Sequence, residues 1–382
     1  ISLRSLIVRS PSPRDHNFQL YMRNLLLVIL TVFCMPVIGQ QDDEGFRCNA
    51  NNQDELTKHL NNTPGAFEDA MHAKGLLDAR TEGFSANAER GGDEPYIIPM
   101  VFHIIHNNGV ENITDAQVYD AVRILTNDYT KQNADWPNVR PEFLDIVADV
   151  NIEFRLATLD PEGNCTNGIT RTVSTQTYDG DFEMTQLIQW PRDQYMNIWV
   201  AASAGSGVAG YTYYPQWLDN WPEADGIVIG HNYVGSIGTS SIGTSRVLSH
   251  ETGHWLNLAH CWGSTNDPGE EDNCFSDDGV SDTPNTVGWQ SCFLQAASCG
   301  SPLDNVENYM EYSYCGKMFT VGQGDRMIAA LTSNIAQRSN LWQSNNLAQT
   351  GVTTDPVLCF FFNDTATTEI YTGSTVQFTD IS

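Results

Sequence analysis

Basic residues are scarce in this chain: 19 Lys and Arg stand against 47 Asp and Glu in 382 residues, a formal net charge of -28. Nucleic acid is excluded as a partner, because its binding draws on basic side chains that displace counterions from phosphates. The nine cysteines include no Cys-x-x-Cys pair, the usual spacing of a structural zinc site. No internal repeat is visible, which removes solenoid architectures. An uninterrupted membrane span is missing too. The longest apolar run, Leu25 to Gly39, is broken by Pro36 and Gly39 short of the ~20 residues a span needs. Aromatic residues, by contrast, are plentiful: 9 Trp, 14 Tyr and 16 Phe exclude a disordered acidic chain.

What is present divides the chain into segments. Residues 1–21 lack an initiator Met at position 1 and carry no structural expectation. From Met22, a basic residue leads into the apolar run and then a small residue, the layout of a secretory signal peptide over 22–40. Residues 41–92 are polar, with weak helical periodicity from Phe67 to Leu77 and a Gly-containing junction near Arg90, and read as a propeptide. A catalytic domain is expected over 93–346. Its first element is a buried strand around Tyr96 to His106, on which His103 and His106, three apart, face opposite sides and so read as core residues rather than metal ligands. Thr114 and Asp115 cap a helix carrying Val118, Ala121, Val122, Leu125 and Tyr129 on one face. Further strands are expected at Val150–Leu156, Met196–Ala201 and Gly226–Gly230, which gives a mixed α and β domain. Cys274, Cys292, Cys299 and Cys315 cluster in a loop-rich stretch where two disulfides would replace missing core; four cysteines allow three pairings.

The chemistry concentrates in Ser249-His-Glu-Thr-Gly-His-Trp-Leu-Asn-Leu-Ala-His260. His250 and His254, four apart, lie one turn apart on one helical face and can offer imidazoles to a single ion. Glu251 sits beside that ion rather than on it, placed to act as general base toward water that the metal acidifies. His260 joins them only if the helix stops and the chain turns back, which needs a residue tolerant of positive φ; Asn257 is suited to this. Three His ligands leave a position open, as catalytic zinc requires.

Downstream, Glu307-Asn-Tyr-Met-Glu-Tyr-Ser313 resembles the Met-turn of metzincins, with Met310 beneath the imidazoles. Val101-Phe-His-Ile-Ile-His106, Asp278-Gly-Val-Ser-Asp-Thr-Pro284, and the Met-turn followed by Cys315, Met318-Phe-Thr and Gln323-Gly-Asp-Arg-Met327 resemble the pappalysin family, in its bacterial cytophagalysin branch, over roughly residues 95–345. The resemblance implies an α+β metzincin-type zincin domain with a twisted mixed sheet, an active-site helix and an irregular lower subdomain, acting as a secreted zinc-dependent endopeptidase. Metzincins usually carry Gly where this chain has Asn257. The resemblance further implies that Tyr312 stabilises the tetrahedral intermediate, that Cys274 pairs with Cys299 and Cys292 with Cys315, and that calcium binds. Asp277, Asp278 and Asp282, in an acidic loop free of Lys and Arg, are the calcium candidates. Some relatives use an acidic residue just beyond the Met-turn tyrosine to select Arg; Ser313-Tyr314-Cys315-Gly316 contains none, so selection of Arg is not expected here.

Two segments flank this domain. Cys48, in Phe46-Arg-Cys-Asn, can act as a zinc-blocking cysteine switch with Arg47 stabilising the thiolate, or can form a disulfide with Cys165 or Cys261. Residues 355–382 resemble the start of a PKD domain, a β-sandwich cut short; within them 361–372 look like translated adapter sequence, and Cys359 carries no expectation. The mature form is expected as a monomer acting on protein or peptide, away from membranes. Two rival functions are a binding or adhesion protein, for which Glu251 would be superfluous, and a zinc hydrolase acting on a non-peptide bond.

Overall fold

A computed structural model describes residues 46–84, 94–205 and 207–353. The signal peptide at 22–40, the junction near Arg90 and the sandwich start at 355–382 lie outside the described residues. Among those described, no helix is long and apolar enough to cross a membrane.

Six strands form one mixed sheet: β1 (Tyr96–His106), β2 (Ile152–Leu156), β3 (Ile169–Val173), β4 (Met196–Ala201), β5 (Gly210–Thr212) and β6 (Ile227–Gly230). The order is β2-β1-β4-β6-β5, with β3 also pairing β1; all pairs are parallel except β5 with β6. Strands buried on both faces read as continuous apolar runs, and β1 and β4 do. Their alternate residues feed two cores. Ile98, Met100, Phe102 and Ile104 of β1 join Ile198 and Val200 of β4 on one face. Ile105 joins Trp199 and Ala201 on the other. His103 and His106 are both buried. The His103 ring nitrogens meet Thr170 and Asn197 side chains, and His106 Nδ1 accepts from Asn108 N–H, so both belong to the core as expected.

The longer helices are α1 (Gln53–Asn62), α2 (Ala66–Gly83), α3 (Asp115–Tyr129), α4 (Val247–Trp255) and α5 (Val321–Leu331). Thr114 caps α3, its hydroxyl accepting from Gln117 N–H. Val118, Ala121, Leu125 and Tyr129 of α3 pack against the sheet together with Val247, Leu248 and Trp255 of α4. The sequence reading misses β3, β5, α1 and α5. The β5 strand is three residues long and begins with Gly, so it carries no period-two signal; the antiparallel edge exists because β6 and the chain before α1 flank it.

Between Leu256 and Phe319 no α-helix or β-strand forms. This lower region is held by the Cys274–Cys299 and Cys292–Cys315 disulfides, the crossed pairing that the family resemblance implies. A buried polar network supplements them. Asp304 accepts from Trp289 Nε1 at 2.9 Å and Ser298 Oγ at 2.6 Å, and Glu311 accepts from Trp289 N–H at 2.7 Å.

Candidate metal centre

The α4 helix is wholly buried, because the sheet, α3 and the Met-turn enclose it. Its start is tied to α3: Asp128 accepts from Ser249 Oγ at 2.5 Å and pairs with Arg246, while Tyr129 Oη donates to the Ser249 carbonyl. Its end is held by Asp225, which takes a bidentate pair from buried Arg338 at 2.8 and 2.9 Å and a hydrogen bond from Trp255 Nε1. The Arg338 guanidinium lies 3.7 Å over the Trp255 ring. After Trp255 the helix stops, and Asn257 adopts φ 76°, the left-handed turn that brings His260 back. Arg326 of α5 donates to the Asn257 carbonyl at 2.8 Å and holds this turn.

His250, His254 and His260 converge as expected. Each Nδ1 donates to a backbone carbonyl: His250 to Tyr309 at 2.7 Å, His254 to Leu258 at 2.7 Å and His260 to Thr265 at 2.8 Å. This fixes the tautomer and leaves each Nε2 a lone pair. His254 Nε2 stands 3.0 Å from His250 Nε2 and 3.1 Å from His260 Nε2. Three lone pairs that close cannot hydrogen-bond one another and need a cation between them. Nitrogens around tetrahedral zinc at 2.0–2.1 Å lie roughly 3.3 Å apart, so the cluster fits that ion. Burial pushes His254 down to about 4 and holds His250 and His260 well below the ordinary imidazole range, so all three are neutral donors. Trp262 stacks on His260 with centroids 4.3 Å apart, its Nε1 donating to the same Thr265 carbonyl.

Met310 is fully buried beneath the helix. A Cβ at Gly253 would stand 2.5 Å from Met310 Sδ, so glycine in the second half of the motif is what lets the Met-turn approach. Glu251 is buried, and its Oε1 has no hydrogen-bond partner among the described residues. Burial pushes its carboxyl up to about 8. Gly210 of β5 passes directly over it, where a Cβ would meet Glu251 Cγ and Oε1 at 3.1 Å.

Cys48 completes the cluster. Its Sγ and the three Nε2 atoms all lie within 4.8 Å of one another, the one such group of potential ligands among the described residues. Cys48 and Cys261 both carry free, buried thiols, so no disulfide joins them. Arg47 does not attend the thiol. It is exposed, and Cys48 meets instead Glu251 Oε2, at 3.6 Å from its Sγ, and Tyr312, whose Oη donates to the Cys48 carbonyl at 3.0 Å. Burial, reinforced by Glu251, pushes the thiol well up.

The calcium candidates are not brought together. Asp278 is buried and accepts from Val280 N–H and Thr283 Oγ1, while Asp277 is exposed and accepts from Gly279 N–H. Asp282 accepts from Thr320 Oγ1 and Gly322 N–H at the start of α5, a helix-capping job. The sequence reading also misses Asp225, Arg326 and Arg338, whose roles depend on contacts far along the chain.

The pattern of the pregnancy-associated plasma protein-A family matches residues 179–332, from the sheet through the metal motif and Met-turn to α5. Extracellular metalloproteases of Trichophyton verrucosum and Pyricularia oryzae are 24% identical over 272 residues and 26% over 303. These alignments cover 69% and 75% of this chain and 86% and 88% of the relatives. A promirolysin mutant of Tannerella forsythia is 30% identical with TM-score 0.64, over 78% of this chain and 97% of its own. Mature mirolysin in complex with a cleaved peptide is 33% identical with TM-score 0.60, over 68% of this chain and 99% of its own. Identity of this order along nearly the whole of a solved relative joins the histidine geometry in one assignment: the chain belongs to the pregnancy-associated plasma protein-A family, the pappalysins, and is a zinc-dependent metalloendopeptidase of metzincin fold.

Proposed function

We propose that His250, His254 and His260 hold the zinc, that Glu251 is the general base and that Tyr312 stabilises developing charge on a peptide carbonyl. The carrying observation is the convergence of three Nε2 lone pairs beside a buried glutamate. Zinc bound there supplies Lewis acidity, which lowers the pKa of coordinated water to about 7. Glu251 takes the proton from the attacking water and passes it to the leaving amine. Tyr312 Oη, which here donates to the Cys48 carbonyl, is placed to donate to a substrate carbonyl in the same position. Met310 supports the imidazoles from below. The test is Glu251→Ala: peptide hydrolysis falls by ~10²–10⁴ while one zinc per chain remains by elemental analysis. Turnover near wild type would refute the mechanism.

A peptide substrate is favoured over a non-peptide ester because an extended stretch of this chain already lies along β5, with Asn49 N–H on the Gly210 carbonyl and Asn51 N–H on the Thr212 carbonyl. That stretch belongs to the prosegment, taken as 41–92 and removed near Arg90, and Cys48 keeps the precursor latent by occupying the coordination position that water needs. Cys48→Ala yields a precursor active before cleavage, whereas the wild-type precursor is silent; equal low activity in both would end the switch reading.

Secretion accords with the apolar run at 22–40 and with relatives named extracellular. The mature enzyme is taken as a monomer that cleaves proteins or peptides, and 355–382 as the opening of a PKD-like sandwich. Calcium in the Asp267–Asp282 loop is the remaining part of the reading. Asp278 is the carboxylate best suited to it, since burial pushes it up to about 7 in want of a sufficient counter-charge.

A further inference from the structure

We propose that the subsite beside His250 accepts an aromatic or large aliphatic side chain, so that the enzyme cleaves next to apolar rather than basic residues. The inference rests on the reading of residues 46–51 as a segment lying in the substrate groove. That segment is extended along β5: Ala209 N–H donates to the Arg47 carbonyl at 2.7 Å, and Cys48 bridges Gly210 in parallel. Side chains of an extended chain alternate, and here Phe46 and Cys48 point inward while Arg47 is exposed. One pleat repeat is about 7 Å, so Phe46 lies one side-chain step from the thiol in the metal cluster. That is the place of a residue flanking the bond under attack.

Phe46 is 4% exposed and its pocket is aromatic. Its ring meets His250 edge-on at 4.9 Å, Tyr312 at 5.2 Å and Tyr314 at 6.1 Å, all within the range of favourable aromatic pairs. The wall after the Met-turn carries no charge: Ser313 Oγ donates to the Val306 carbonyl, Cys315 is bonded to Cys292, and Gly316 follows. Glu311, the carboxylate nearest in sequence, is buried and accepts from Trp289 N–H in the lower region. The three rings that enclose Phe46 offer no carboxylate, so a guanidinium buried among them would be costly, whereas a ring or branched alkyl group fits. The prosegment itself follows the rule, with its ring inside and its only nearby basic residue outside.

The test profiles cleavage of proteome-derived peptides by the mature enzyme and compares two reporter peptides, identical except for Phe or Ala at the flanking position. Phe, Tyr, Leu and Met are expected to be enriched beside the scissile bond over Arg and Lys. Tyr314→Ala is expected to reduce the Phe-over-Ala ratio of kcat/KM about tenfold, mainly through KM. In the full-length precursor, Phe46→Arg is expected to raise residual activity above wild type. Enrichment of Arg or Lys, a flat profile, an unchanged Phe-over-Ala ratio in Tyr314→Ala, or tighter latency in Phe46→Arg would each overturn the proposal. Failure of the underlying latency reading is separately visible, as a Cys48→Ala precursor no more active than wild type.

Discussion

The sheet half of the catalytic body, Tyr96 to Trp255, and the loop half, Leu256 to Phe319, both bury their functional side chains, but by opposite means. In the first, largely apolar runs on β1, β4 and β6, buried on both faces, and apolar residues at helical spacing on α3 build the enclosure around α4. In the second, no α-helix or β-strand forms, and order comes from two disulfides and from carboxylates such as Asp304 and Glu311 that collect backbone and side-chain donors. The metal centre draws on both: two histidines stand on the helix of the first half, and the third histidine and the Met-turn belong to the second. Repeated apolar contacts spread their stabilisation over many residues, whereas cross-links and polar anchors concentrate it in a few.

The comparison breaks most visibly at the buried carboxylate that anchors the end of α4. Asp225→Ala leaves Arg338 buried and unpaired at the end of α4, and about 3–5 kcal/mol of stability is expected to be lost. Chemical denaturation checks this, and a loss under 1 kcal/mol would show that Trp255 packing alone holds the helix end. A smaller effect is expected from opening one cross-link in the loop half. Cys274→Ala with Cys299→Ala removes a bridge spanning 25 residues, for which loop-closure entropy gives about 3.5 kcal/mol, read as a lowered Tm. If reduction of both disulfides leaves Tm unchanged, the polar network by itself sustains the lower region. Smallest is calcium: a cation bound only by the folded loop adds about 2.7 kcal/mol when present at a hundredfold its Kd, so a calcium-selective chelator lowers Tm. An unchanged Tm would assign the acidity of Asp277 and Asp278 to local turns and that of Asp282 to capping α5.

Much of the centre was legible in advance because it is local. The four-residue spacing of His250 and His254, the offset of Glu251 and the positive-φ tolerance of Asn257 are properties of a short stretch of chain, and the helix that stops after Trp255 follows from them. The β1 strand and the capped α3 were legible for the same reason: a long, mostly apolar run and a capped helical repeat are both local signals. Asp277, Asp278 and Asp282 show the limit of composition. Nearness in sequence grouped them, yet Asp277 and Asp278 are engaged by donors in their own turns and Asp282 by the distant start of α5.

The sequence by itself therefore determined the register of the three converging histidines, the carboxylate beside them and the fold class, since periodicity and spacing act within a few turns of chain. Tertiary structure alone decided that Cys48 meets Glu251 across 203 residues, that Gly253 admits Met310, that Arg326 ties down the Asn257 turn, and that Phe46 fills a pocket of three rings. The physical reason is that such contacts depend on where the whole chain path returns. A period of 2 or 3.6 residues describes which face a side chain takes, and carries no record of what will later be packed against it.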